Sequence, residues 1–391
     1  MTNSKWKLIV LFVICVSVGC ASKTQEKLNT EFELLVTDEI LEIPIDSATS
    51  NISPYLYSYL DQNGGENDLL FSVNIFNNSL EIYSTKKASL LKTLTFEREG
   101  AEGVGNLSSV FVQNLDSIFL FNSAGAVYFM VNLENDSLSK YRFKEPLGYS
   151  VPMISSTKFS SIPFIHKGSF FFKALPPGSY TTKSNEELAT TNLGYSVDLK
   201  TGESKKHPFF YPSDYWADFK KHFEFSMAND ENRIVYSFFG DHNIYAAELE
   251  NGPSIKKEAK SKFFKDEFER LPLEGTAMDR GRYFTTSQHY GALIFDPIRR
   301  VYYRFCFPEL ENIDPSQYRD LAVYPKSFAI MVLNEQLEVI TEKLFENQAY
   351  LPNNAFVGRE GLYISMNHPE NEVNKEDYFS FKLLKLEEIK D

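Results

Sequence analysis

The sequence predicts an all-β fold, a β-propeller, on three observations. Aromatic residues make up 15% of the chain, with 34 Phe and 22 Tyr, a bias that favours strands over helices. Short runs rich in Phe, Tyr, Val, Ile and Leu recur, each ended by Asn, Asp, Gly or Pro, which is the punctuation of strands and turns. These runs fall into about seven similar units of roughly 40 to 60 residues, close to the period of a propeller blade.

The first segment is a targeting signal rather than part of that repeat. Lys5 and Lys7 precede an uncharged run from Leu8 to Gly19, and Cys20 follows at once. A basic start, a short apolar core and a small residue before a boundary describe a secretory signal peptide. The run is shorter than the roughly 20 residues a spanning helix needs. Gly19-Cys20 resembles the lipobox of bacterial lipoproteins, in which the cysteine is lipidated and becomes the new N-terminus. Ser17 stands where that pattern usually has Leu, and cleavage near Ala21 without lipid is the alternative. Residues 1–19 are therefore read as the signal, 20–31 as a polar tether and 32–391 as a single domain.

Within that domain, LLVTDEILEIPI (Leu34 to Ile45) is a lone strand ahead of the first unit. The units run Leu69–Phe96, Asp116–Phe143, Ser169–Phe210, Arg233–Ala259, Arg282–Phe307, Ser327–Phe345 and Gly361–Glu388. The clearest, DSIFLFNSAGAVYFMVNLENDSLSKYRF, holds three strands and two turns. The last unit lacks a partner strand, so the N-terminal strand is expected to pair into it and close the ring, hiding both edges. Seven blades is the expected number. Six is the alternative, if the weak unit at 327–345 merges with a neighbour. No Pro- or Gly-rich linker divides the chain into two sandwiches.

EGAEGVG, Glu99 to Gly105, has the glycine density of a phosphate loop. A phosphate loop leads into a helix N-terminus, but NLSSVFVQN follows here and is strand-like. The stretch is read as the crossing between two blades, where glycine permits positive φ and close backbone approach.

FEREGAEGVGNLSSVFVQNLDSIFLFN (Phe96 to Asn122), YGALIFDPIRRVYYRF (Tyr290 to Phe305) and FVGREGLYISMN (Phe356 to Asn367) resemble stretches of a family of uncharacterised Bacteroidota lipoproteins. That family is a domain of unknown function with propeller-like strands. The resemblance covers about Phe32 to Glu388. It implies export, a lipid anchor and a propeller, and no known activity, since fold alone confers none.

The chemistry visible in the sequence is sparse. The chain has a formal charge of −13, and losing residues 1–19 removes two lysines and no acid, leaving about −15. That balance opposes nucleic-acid binding, which needs a basic footprint. H-E-x-x-H, G-x-x-x-x-G-K-[ST] and G-x-S-x-G motifs are absent. The six histidines stand apart at positions without metal-ligand spacing. Cys306, in VYYRFCFP, reads as a buried inert thiol. DQNGGEND (Asp61 to Asp68) is oxygen-rich but departs from the EF-hand pattern, so it reads as a turn. No cofactor is predicted, although calcium on scattered loop oxygens stays open.

HPFFYPSDYWADFKKHFEF (His207 to Phe225) is the most aromatic segment, and Tyr211, Tyr215 and Trp216 are its candidate ligand-stacking residues. Packing between blades is the preferred role for such rings. LPPGSYTTKSNEEL (Leu175 to Leu188) is a long insertion, either functional or mobile. The expected function is a lipid-anchored binding or scaffold module of the cell envelope. It would sit at the outer membrane facing the periplasm, with the cell surface as the alternative, and hold an envelope protein or a carbohydrate. The alternative is an envelope hydrolase or lactonase-like enzyme with a metal or acids in the channel. Anchoring is testable directly: Cys20→Ala is expected to leave the protein uncleaved or soluble in the periplasm. A mature-sized band still in the outer-membrane fraction refutes the lipobox.

Overall fold

The computed structural model describes residues 31–389 apart from 53–54, 62–64, 66–67, 123–126, 136, 147–157, 176–177, 231–232 and 250–251. The signal, Cys20 and the tether up to Thr30 lie outside the described residues. The strands form six four-stranded antiparallel sheets, the blades of a propeller.

Blade 1 comprises β2 (Leu56–Tyr59), β3 (Leu69–Asn74), β4 (Ser79–Ser84) and β5 (Ser89–Thr95), after β1 (Glu31–Pro44). Blade 2 comprises β6 (Leu107–Asn114), β7 (Ser117–Asn122), β8 (Val127–Asn132) and β9 (Ser137–Arg142). Blade 3 comprises β10 (Phe164–His166), β11 (Ser169–Lys173), β12 (Gly194–Asp198) and β13 (Ser204–Lys206). Blade 4 comprises β14 (Phe225–Asn229), β15 (Arg233–Phe238), β16 (Asn243–Glu248) and β17 (Gly252–Glu258). Blade 5 comprises β18 (His289–Asp296), β19 (Val301–Phe307), β20 (Phe328–Leu333) and β21 (Val339–Phe345). Blade 6 comprises β22 (Leu351–Val357), β23 (Leu362–Ser365) and β24 (Tyr378–Ile389), with β1 as its fourth strand. β1 pairs antiparallel with β24 from Glu31↔Ile389 to Pro44↔Tyr378, with one irregularity between Val36 and Ile40.

Six blades replace the expected seven. The units at 282–307 and 327–345 are two halves of blade 5, since β19 pairs directly with β20. The connection 308–327 between them carries a 3-10 turn and α3 (Tyr318–Leu321). An insertion that long makes one sheet look like two units in the sequence. Two other helices, α1 (Asn185–Ala189) and α2 (Ala277–Thr286), also sit in connections. Each starts with a capping box, Ser184 with Glu187 and Thr276 with Asp279, which satisfies free backbone N–H groups at its first turn.

Both faces of each sheet are apolar, so each blade must cover its neighbours. Phe71 and Ile82 of blade 1 pack with Val110 and Leu120 of blade 2. Phe119 and Phe121 meet Phe170 and Phe172 of blade 3, where Phe119 and Phe170 cross edge-on at 4.7 Å. Blades 3 and 4 join through Phe171 and Tyr236, and blades 4 and 5 through Val235 and Tyr302. Blades 5 and 6 join through Ile330, Ile364 and Leu34 of β1. Phe356, Phe379 and Phe381 of blade 6 then pack on Leu70 and Tyr83 of blade 1.

A buried arginine adds a polar link between blades 4 and 5. Arg304 of β19 is fully buried. Its guanidinium donates to the carbonyls of Asp241 (2.8 Å) and Ala259 (2.7 Å) and to Ser237 Oγ (2.8 Å). It lies over the Tyr290 ring at 3.3 Å, an attraction strengthened by exclusion of water. Cys306, on the same strand, is buried and free.

The crossing at Glu99–Gly105 joins β5 to β6. Gly100 and Gly105 have φ of 92° and 73°, a region that L side chains rarely adopt. A Cβ at Gly103 would lie 2.6 Å from the Glu99 carbonyl carbon, so only glycine fits. The turn folds Val104 into the core between blades 1 and 2.

Phe170→Ala is expected to destabilise the protein by about 3–5 kcal/mol, the cost of a large buried cavity. Urea unfolding measures it, and a loss below about 1 kcal/mol would contradict the blade-packing role.

Candidate functional site

In an antiparallel four-stranded meander, the connections between second and third strands and those between blades share one end. The chain is strongly asymmetric between its two ends. Connections 174–193, 207–224, 259–288 and 308–327 all emerge on that shared face. The opposite face has short turns such as 115–116, 167–168 and 297–300. Functional residues concentrate on long connections held by a rigid scaffold.

The first strand of every blade faces a central cavity of about 450 Å³, lined from β2, β6, β10, β14, β18 and β22. That volume lies in the range of small-ligand sites. The described lining contains no Asp, Glu, Lys, Arg or His. Its polar groups are neutral: tyrosines including Tyr55 and Tyr59, the hydroxyls of Ser58, Ser109 and Ser160, and the amides of Gln113, Asn229 and Asn353. Val110, Leu293 and Phe356 supply apolar wall between them. Residues 158–163 enter this cavity as an extra segment. Ser160 carbonyl accepts from Met227 N–H at 2.9 Å, and its hydroxyl donates to Leu293 carbonyl at 2.8 Å.

That segment carries Lys158 to the mouth. A second cavity of about 440 Å³ opens there on the long-connection face and shares Tyr55 and Asn353 with the first. Ile52, Val73, Phe76, Val323 and Lys158 line it. Burial lowers the Lys158 pKa to about 8, since a charged amine is costly away from water. Behind the amine lie two imidazoles, one buried and one half-buried. His289 is sandwiched between the Phe239 and Phe307 rings at 4.7 and 4.8 Å, and His222 is ringed by Phe239 and Phe284. Burial holds His289 well below the ordinary histidine range and His222 down to about 3, with positive Lys158 adding to both.

The expected stacking residues sit elsewhere. Tyr211, Tyr215 and Trp216 come together, but inside the core between blades 3 and 4 and at most 3% exposed. Tyr211 and Tyr215 donate to the carbonyls of Phe223 (2.5 Å) and His222 (2.6 Å). Packing takes up these rings, and neither cavity is lined by them. The insertion from Leu175 to Leu188 contributes Leu188 to the same core. In the oxygen-rich turn at Asp61–Asp68, the Asp68 carboxylate is engaged by Arg359 of blade 6 at 2.8 and 2.9 Å. Among the described residues, no three His, Cys, Asp or Glu side chains gather as a metal would require.

Sequence reading missed Lys158, Tyr55, Tyr59 and Asn353. Their only signal is weak: Lys158 is the one charge in the stretch PMISSTKFSSIPF.

Fold and cavity together define a six-bladed propeller with an axial cavity, its described lining uncharged, beneath a face of long connections. The model of the family described as a domain of unknown function, DUF4221, matches residues 31–344, and this chain belongs to that family. The solved structure of a DUF4221 member from Bacteroides vulgatus is similar, with 24% identity and a TM-score of 0.80, covering 92% of this chain and 100% of that one. A protein from Bacteroides fragilis shares the fold at 12% identity and a TM-score of 0.52, covering 94% of this chain and 98% of that one. A search of curated proteins finds no match.

These desolvated imidazoles give a pH prediction. His207 and His222 hold folded pKa values near 4 and 3, below the ordinary value of about 6.5. The unfolded chain therefore binds protons first as pH falls. Stability is expected to drop from about pH 6.5 towards 4. Urea midpoints measured across that window should fall, and His222→Phe should flatten the slope. An unchanged slope in His222→Phe would show that its imidazole is not held neutral.

Proposed function

We propose that this protein is a lipid-anchored binding module of the cell envelope, held through Cys20 at the outer membrane on its periplasmic side. Its propeller takes an uncharged, ring-bearing ligand in the axial cavity, and neutral carbohydrate is the class that fits. One observation carries the reading: six inner strands converge on about 450 Å³ lined by tyrosine rings, amides, hydroxyls and aliphatic side chains without a formal charge. Rings present flat apolar faces to a sugar, while neutral amides and hydroxyls match its hydroxyl groups. A charged ligand would enter this cavity with nothing in the described lining to offset its desolvation.

The signal, lipobox and polar tether support the envelope location, and no described helix is long and apolar enough to cross a membrane. The hydrolase alternative gains no support, because the described channel lining offers neither acid nor histidine.

Calorimetry of the mature protein against a panel of neutral trisaccharides tests the proposal. At least one sugar is expected to bind. Tyr59→Ala should weaken it tenfold or more, and Ala355→Trp should abolish it by filling the cavity. Binding that survives Ala355→Trp would place the sugar elsewhere, and a panel without any binder would overturn the carbohydrate class.

A further inference from the structure

The mouth cavity differs in chemistry from the axial one. Its outer lip is apolar and open, with Phe76 at 71% and Val323 at 48% exposure. Among its described lining residues Lys158 is the one cation. Lys158 has no ion pair among the described residues, and the segment 147–157 before it contains no Asp or Glu. The carboxylate behind the opposite wall, Glu81, is already engaged. It accepts from Thr49 Oγ1 and Asn74 Nδ2, both at 2.9 Å, and from the Tyr83 hydroxyl at 2.8 Å.

The surroundings offer Lys158 an aromatic face but no counter-ion among the described residues. Its amine stands 5.6 Å from the Phe307 ring centre. The narrow recess beyond is lined by Lys158, Asn353 and His289. His289 is 2% exposed, its Nδ1 donates to Ser287 carbonyl at 2.8 Å, and its buried Nε2 has no partner among the described residues. A partly desolvated cation without a counter-ion is costly. A buried nitrogen without a partner adds to that cost. The amine lines the open apolar cavity, and the imidazole lines the recess just beyond it.

From this juxtaposition we infer that the mouth cavity is a binding site for a small anionic amphiphile, an alkyl chain ending in a carboxylate. The carboxylate pairs with the Lys158 amine beside Asn353, and the chain lies along Ile52, Val73, Phe76 and Val323. The two ends of such a molecule match the two ends of the cavity. The apolar part gains by leaving water, and the carboxylate supplies the missing counter-ion. The inference goes beyond the axial carbohydrate reading and does not depend on it, because the anion site needs only the mouth.

Calorimetry with decanoate, decanol and decyltrimethylammonium, each below its micelle concentration, tests it on the mature protein. Decanoate is expected to bind at least tenfold more tightly than decanol, and the cation not to bind. Lys158→Met should bring decanoate down to the decanol level and leave decanol unchanged, while Lys158→Arg should retain the preference. Val323→Trp, on the exposed lip, should weaken both ligands. Equal affinity for decanoate and decanol in the unaltered protein overturns the inference, as does full decanoate binding in Lys158→Met. Where Lys158→Met does not fold, the decanoate-to-decanol ratio and Val323→Trp decide the matter. Sugar binding that fails while decanoate binding holds would remove the axial reading alone.

Discussion

The pairing of β1 with β24 is the constraint on which the rest of the molecule depends. Each blade is a sheet with two apolar faces, and each face is covered only by the next blade. A row of such sheets would leave a bare face at both ends. Packing blade 6 on blade 1 removes those faces, and the β1–β24 ladder holds the two ends of the described chain in one sheet. Leu34 carries that tie inward, since it joins the core between blades 5 and 6. The hydrogen bonds of the ladder and the apolar packing beneath it therefore act on the same strand.

A closed ring also fixes where variation can occur. Strand length and inter-blade packing leave little room for change, and most turns on one face are short. The opposite face holds α1, α2, α3 and the aromatic connection at 207–224. There the rings of Tyr211, Tyr215 and Trp216 form added core rather than a display surface. The axial cavity and the mouth cavity join beneath this face at Tyr55 and Asn353. Rigid inner strands give the lower cavity its shape, and the connections give the upper one its lip.

The strands were legible because their signal is local. SIFLF, VYFMV and FAIMVL show their character within a few residues, and the turns that end them are equally short-range. The crossing at Glu99–Gly105 was legible for a similar reason, since the strand after it ruled out a phosphate loop. Blade number was less legible, because the connection 308–327 separates two strands that pair directly. The candidate site was hardly legible. Lys158 meets Val323 and Ile52 only through the closure of the ring, and nothing in their spacing announces it. The aromatic segment at 207–225 misled in the other direction, because composition reports how many rings there are and not which way they face.

Ring closure also has a consequence in time. β1 is made before β24, with more than 300 residues between them, so the strand must wait while the intervening chain is produced. Pairings this distant in sequence are slow to form, and a waiting strand can pair with the wrong partner. Its sequence is suited to the wait. Glu31, Glu33, Asp38, Glu39 and Glu42 place negative charge along most of its length, and like charges discourage two copies from joining edge to edge. On β24, Lys385 takes up Glu39 at 2.6 Å, while Lys375, just ahead of that strand, takes up Glu42 at 2.6 Å. The charges that keep the strand solitary in the nascent chain thus help it recognise its proper partner when that partner arrives.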